Sequence, residues 1–153
     1  MIHSATKYID GQGRVLGGVV CGRADLIKEI RFFARHTGPS MSPFNAWILS
    51  KSLELIHLRM EKHSENAYKL ASALEGNEAL NSVKYPFLTS HPQYELAKKQ
   101  MKMGGAIMTM DVKGGFEVVN KMSKHLKIAS ISPNLGDTRT IITHPASTTH
   151  SKL

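Results

Sequence analysis

The chain has 153 residues, 41% of them apolar and 21% charged, a globular balance that excludes a disordered polymer and by length suits a single domain. Lysine and arginine number 20 against 12 acidic residues, for a net charge of +8. The basic residues recur singly, as at Arg59, Lys62 and Lys69, in the manner of a solvated helix face, so no nucleic-acid-binding patch is expected. One cysteine excludes an internal disulfide and fits a reducing compartment, and neither a membrane-spanning run of ~20 apolar residues nor a secretory signal is present.

The first stretch, MIHSATKYIDGQGRVLGG, sets a lysine and two hydroxyls beside four glycines. Residues 1–22 read as short extended pieces broken by glycine, with Val15-Leu16 and Val19-Val20 as buried strand segments. On an extended segment Ser4 and Thr6 point to one face, where two hydroxyls can donate to one phosphate. A lysine beside them is placed to form a Schiff base with an aldehyde, and the glycines let backbone approach a flat ring or an anion. Alone, Ser-x-Thr-Lys is a weak signal that favours an ordinary frayed terminus over a cofactor site. Cys21, after an apolar pair, reads as a buried and inert thiol.

Ala24 to Arg35 is expected to be helical, ending before the turn His36-Thr37-Gly38-Pro39. Ser42 as N-cap with Pro43 at the first helical position starts the clearest element. Leu49, Leu53, Ile56, Met60, Ala67, Ala71 and Leu74 then form one apolar stripe, skipping a turn near His63-Ser64. This predicts a single long helix up to an αL cap at Gly76, long enough to lead from one domain into the next.

Beyond it the pattern becomes α/β. A helix is expected over Pro92–Lys102, stopped by Gly104-Gly105, and Met108, Met110 and Val112 alternate as a half-buried strand. Phe116, Val119, Met122 and Leu126 space a helix, and Ile128–Ile131 and Thr140–Thr143 read as strands, giving a compact layered structure. The eight methionines are read as core filler. His144 and His150 lie close in sequence but lack a third convergent ligand, so no metal site is expected. The last three letters, Ser-Lys-Leu, match a peroxisomal address.

The stretch HSATKYIDGQGRVLGGVV resembles the cofactor-lysine segment of the cysteine/methionine-metabolism family of pyridoxal-phosphate enzymes. The resemblance continues through TGPSMSPFNAWILSKSLELIHLRMEKHSENAYKLA, YPFLTSHPQYELAKKQMK and SPNLGDTRTIITHPASTTH, covering essentially the whole chain in the family's order. Cystathionine γ-synthases, methionine γ-lyases and homoserine-ester sulfhydrylases belong to this family. IDGQGRVLGG, GPSMSPFNAW and NLGDTRT look most like its O-succinylhomoserine sulfhydrylase branch.

The resemblance implies an aminotransferase-like α/β fold: residues 1–52 as the end of the large cofactor domain and 53–153 as a truncated small C-terminal domain. It implies pyridoxal 5'-phosphate as cofactor, with Lys7 bound to it and shuttling protons between substrate carbons, for which the amine must be neutral at the moment of transfer. Ser4 and Thr6 would donate to the cofactor phosphate, and Asn134 would lie beside the carboxylate of a small amino-acid substrate. His3, Tyr8 and Asp10 would be structural supports. Sulfide would replace the γ-substituent of an activated homoserine ester in the cytoplasm, and full-length relatives are homotetramers with shared active sites.

It further implies a fragment. The chain would begin where relatives carry a long upstream portion with the phosphate loop, the ring-stacking aromatic and the aspartate that pairs with the pyridine nitrogen. It would stop before the arginine that clamps the substrate carboxylate. On that reading the terminal Ser-Lys-Leu is merely where the chain breaks off, and the isolated chain is a catalytically inactive folding or association unit.

Overall fold

The computed structural model describes residues 1–151; Lys152 and Leu153, the last two letters of the Ser-Lys-Leu triplet, lie outside the described residues. The architecture is mixed α/β, as expected, with three two-stranded sheets among the described residues. The chain divides into two compact units, Met1–Ile56 with Asn134–Arg139, and His57–Pro133 with Thr140 onward.

In the first unit, β1 (Ile2–Ser4) pairs antiparallel with β2 (Gly18–Val20), His3 standing opposite Val19. A wide five-residue turn, Ala5–Ile9, follows β1 directly. Ala5, Val15 and Leu49 form a small buried cluster, with Ile9, Val19 and Ile48 packed against it. The expected Val15-Leu16 strand does not form: Val15 is buried, but Leu16 is 73% exposed. Arg14 is held back onto Asp10, which folds residues 10–14 into a loop rather than an extended pair. In β2 only Val19 turns inward, because a two-stranded ribbon alternates its sides, and Val20 stays exposed. Cys21, expected to be buried, is exposed just past the end of β2.

α1 (Ala24–Thr37) forms where expected and ends on Gly38, whose φ of 89° closes the helix with an N–H bond to the Ala34 carbonyl. No α1 residue is buried; Leu26, Ile30, Phe32 and Phe33 are all exposed.

The single long helix expected from Pro43 to Gly76 is two helices, α2 (Pro43–Leu53) and α3 (Ile56–Leu74). Pro43 does open α2, but Ser42 makes no side-chain cap. The interruption traces to Ser52. Its hydroxyl donates back to the Ile48 carbonyl at 2.8 Å, a bond that bends helices, and accepts from Arg14 Nη2 at 2.6 Å. The apolar stripe, blind to a serine lying off it, runs straight across this break.

The second unit is built on α3, which buries Ser64, Ala67 and Ala71. The serine occupies the turn the apolar stripe skips; its hydroxyl is satisfied by the Met60 carbonyl at 2.7 Å. After Gly76, in the left-handed region at φ 78°, comes β3 (Leu80–Lys84), which pairs antiparallel with β4 (Thr109–Val112) across an irregularity between Leu80 and Ser82. β3 was not expected: LNSVK lacks clean alternation and turns no full apolar face inward.

Tyr85, at the end of β3, is 1% exposed and centres the core with Ala67, Ala71 and Leu88. Its hydroxyl is shared between the Ser64 and Gly105 carbonyls, at 3.1 and 2.8 Å. A Cβ on Gly104 would come within 2.6 Å of the Tyr85 ring, so the glycine expected to stop a helix is also the floor of this core.

α4 is shorter than expected, Tyr94–Gln100, because Met101 is already extended. α5 (Gly115–Ser123) ends before Leu126. β5 (Ser130–Ile131) and β6 (Ile141–Ile142) pair in parallel inside the two expected strand regions. Met108 packs against the core, while Met101 and Met103 are exposed, so methionine fills only part of it.

Candidate active site

The lysine turn is pinned before it reaches Lys7. Ala5 is fully buried, and the Ala5 and Thr6 amides both donate to the Gly17 carbonyl, at 2.9 and 3.3 Å. The Thr6 hydroxyl accepts from the Gly17 N–H at 3.1 Å and donates to the same carbonyl at 3.3 Å. A Cβ on Gly17 would meet Leu49 Cδ1 at 2.5 Å, so that side-chain tip would have to move to admit it.

Lys7 then breaks the turn with non-helical torsions, φ −92° and ψ −115°. The turn closes beyond it through Asp10 N–H to the Ala5 carbonyl at 2.9 Å and Gly11 N–H to the Lys7 carbonyl at 2.8 Å. The Lys7 side chain is half-buried, and its Nζ donates to Asn134 Oδ1 at 2.5 Å. An ammonium can only donate, so the amide oxygen faces it. The Nδ2 end is then the one able to donate to a carboxylate.

Asp10 is 1% exposed and accepts from Arg14 twice, from its N–H at 2.6 Å and from Nε at 3.0 Å. Burial pushes the Asp10 carboxyl up, but the Arg14 backbone and guanidinium bonds outweigh it and hold it below the usual range. Arg14 Nη2 also reaches the Asp10 carbonyl at 3.0 Å, so one guanidinium joins the end of the lysine turn to Ser52 of α2. Burial raises the neighbouring Tyr8 phenol.

The segment carrying Asn134 belongs to the same unit. Asp137 is buried. The side-chain bond from Arg139, with Nη2 at 2.9 Å, and the Arg139 N–H lower its carboxyl to about 2.

Lys7 and Asn134, distant in sequence, thus meet directly. Ser4 ends β1, exposed, and makes no cap to the turn. The expected extended face shared by Ser4 and Thr6 is not there: the chain leaves the strand after Ser4, and Thr6 lies in the turn with its hydroxyl on Gly17. Arg14, Gly136 and Asp137 were not singled out from the sequence. The Asp-x-x-x-Arg spacing was the available signal for the first. Among the described residues no three potential metal ligands converge, and no helix is long and apolar enough to cross a membrane.

The family model for Cys/Met metabolism PLP-dependent enzymes matches residues 1–153. The chain belongs to that family. It is 50% identical over 153 residues to an O-succinylhomoserine sulfhydrylase of Pseudomonas aeruginosa, covering 100% of this chain and 38% of the relative. It is 46% identical to an L-methionine gamma-lyase of Porphyromonas gingivalis, covering 99% of this chain and 38% of that one. The crystal structure of cystathionine gamma synthase from Xanthomonas oryzae pv. oryzae, in complex with aminoacrylate and cysteine, superposes with a TM-score of 0.94 at 36% identity, over 99% of this chain and 40% of that one. The chain therefore has the fold of the pyridoxal-phosphate enzymes of sulfur amino-acid metabolism, and spans 38% of the length of both curated relatives.

The residues present fit part of a pyridoxal phosphate site. A half-buried primary amine on a glycine-flanked turn suits the aldehyde, and the exposed Ser4 hydroxyl suits a phosphate. The Thr6 hydroxyl has a single hydrogen, directed at Gly17, and reaches a phosphate only by giving up that bond.

Proposed function

We propose that this chain is the lysine-bearing part of an enzyme that replaces the γ-substituent of an activated homoserine ester with sulfide, giving homocysteine. The observation that carries this reading is the Lys7 amine, half-buried on its kinked turn and held by Asn134. The 50% identity to a sulfhydrylase supports this reading, while other sulfhydrylases and methionine gamma-lyases lie together at 45–46% and a chloroplastic cystathionine gamma-synthase of Arabidopsis thaliana at 36%. These activities share a lysine and differ in the nucleophile or in the fate of the γ-substituent.

Lys7 is the cofactor-anchoring amine and, once neutral, takes a proton at the substrate Cα. Ser4 and Thr6 orient the phosphate, and Asn134 offers its Nδ2 end to the substrate carboxylate. When bound, pyridoxal phosphate supplies the electron sink that makes the Cα proton removable. Residues 1–52 are the end of the large cofactor domain and 53–153 a small domain, in an enzyme that works as a cytoplasmic homotetramer. By itself the chain is a folding or association unit without useful turnover, because it spans 38% of its relatives and misplaced groups cost on the order of 100-fold in rate each.

The test is to trap pyridoxal phosphate with borohydride and map the modified peptide, then to assay homocysteine from O-succinylhomoserine and sulfide. Trapping at Lys7, with turnover only in a chain extended to the length of its relatives and abolished there by Lys7→Ala, is the expected result. Turnover by the 153-residue chain that survives Lys7→Ala overturns the proposal.

A further inference from the structure

Gly136 lies against the backbone of the lysine turn. A Cβ there would stand 2.6 Å from Tyr8 N, 2.7 Å from Lys7 C and 3.1 Å from Lys7 Cα. These are main-chain atoms, which cannot swing aside as a side-chain tip can. Gly136 is also in the left-handed region, at φ 87°, where any other residue is strained. Two residues on, the Thr138 N–H donates to the Gly11 carbonyl at 2.9 Å, and two residues back Asn134 accepts from Lys7 Nζ. Every second residue of the segment therefore meets the turn, with Gly136 the middle point and the closest approach.

We infer that Gly136 is a positioning residue for Lys7: by seating on the Lys7–Tyr8 peptide it sets both the path of the turn and the place of Asn134 beside the amine. The inference rests on reading Lys7 as the reactive amine, but needs nothing beyond these contacts. With any side chain at 136 the segment lifts, the Asn134 oxygen withdraws, and Lys7 becomes an ordinary flexible surface lysine.

Competitive acetylation with acetic anhydride tests this without the cofactor, so its failure is distinct from failure of the trapping experiment. In the 153-residue chain Lys7 should acetylate more slowly than the exposed Lys28. Gly136→Ala should raise the Lys7 rate about fivefold, the order of coupling expected between contacting residues, and leave Lys28 unchanged. Asn134→Ala should raise it similarly, and the double variant should add nothing further. Additive effects, or an unchanged Lys7 rate in folded Gly136→Ala, overturn the inference.

Should Gly136→Ala fail to fold, hydrogen exchange on the unaltered chain decides. The Asp10, Gly11 and Thr138 amides should open together with one protection factor. Exchange of Thr138 while Asp10 and Gly11 stay protected overturns it.

Discussion

The two units stabilise themselves by different means. The second closes around an aromatic residue: Tyr85, Ala67, Ala71 and Leu88 exclude water from one another, and the Tyr85 hydroxyl carried inside is satisfied by two carbonyls. The first has only Ala5, Val15 and Leu49 as its buried apolar residues, and its order is concentrated in a polar lattice of Asp10, Arg14, Thr6, Gly17 and Ser52. Its longest helix, α1, buries nothing. Apolar packing tolerates small displacements, whereas a hydrogen-bonded turn fixes atoms individually. The difference is that between a unit held by apolar packing and one held by individual hydrogen bonds.

The sharpest way to break this comparison is to empty the second core. Tyr85→Ala should cost about 3–5 kcal/mol, as for other buried aromatics, and abolish the protection of α3 amides while leaving the Ala5–Gly11 turn protected. Urea unfolding followed by hydrogen exchange measures both. Equal loss in the two units would show that they are one cooperative body.

Next in size is the polar lattice. Asp10→Asn removes the charge from a buried pair and should cost about 2 kcal/mol, the range of charged hydrogen bonds. The loss should fall on the first unit alone, read by the same exchange experiment.

Acid makes the same cut without mutation. Asp10 and Asp137 both titrate below the ordinary carboxylate value of 3.8, Asp137 at about 2. A depressed native pKa gives stability that is present above the unfolded value and is lost as pH falls through the folded one. Protection in the first unit should therefore decline between about pH 4 and pH 2, ahead of the second. In the second unit the lowered carboxyl is Glu65, exposed between Lys62 and Lys69, where water and salt screen the interaction. Coincident acid transitions would sink this distinction.

The smallest expected effect concerns α1. Phe33, 68% exposed, supports nothing within the chain, so Phe33→Glu should change stability by less than about 0.5 kcal/mol. It should nonetheless reduce self-association in sedimentation velocity, since exposed apolar faces drive it. A large stability loss would mean that α1 is packed after all.

Much of this was legible in the sequence where one element carries its own signal. α1, the Pro43 start, β4 and α5 follow from periodicity and glycine or proline punctuation, and the lysine segment follows from its motif. What periodicity misses is decided by side chains acting across the chain. Ser52 splits the long helix through a bond to its own backbone and a bond from Arg14, and neither changes the apolar pattern. β3 reads as irregular because its value lies in delivering Tyr85. Cys21 sits after two valines, yet a ribbon of two strands has nothing to bury its outer side. At the site, Lys7 and Asn134 were both nameable, but the Thr6 hydroxyl was assigned outward because the turn that directs it to Gly17 cannot be seen in Ser-x-Thr-Lys.

Lys7 and Asn134 are 127 positions apart, and that separation has a cost in time. At typical synthesis speeds, the ribosome needs about 6 to 25 s to travel from one to the other. During that interval neither Asn134 nor Gly136 has yet been made. Throughout it Lys7 lacks its Asn134 partner. The Lys7–Asn134 contact can therefore form only when most of this sequence has been translated, so it closes late in synthesis.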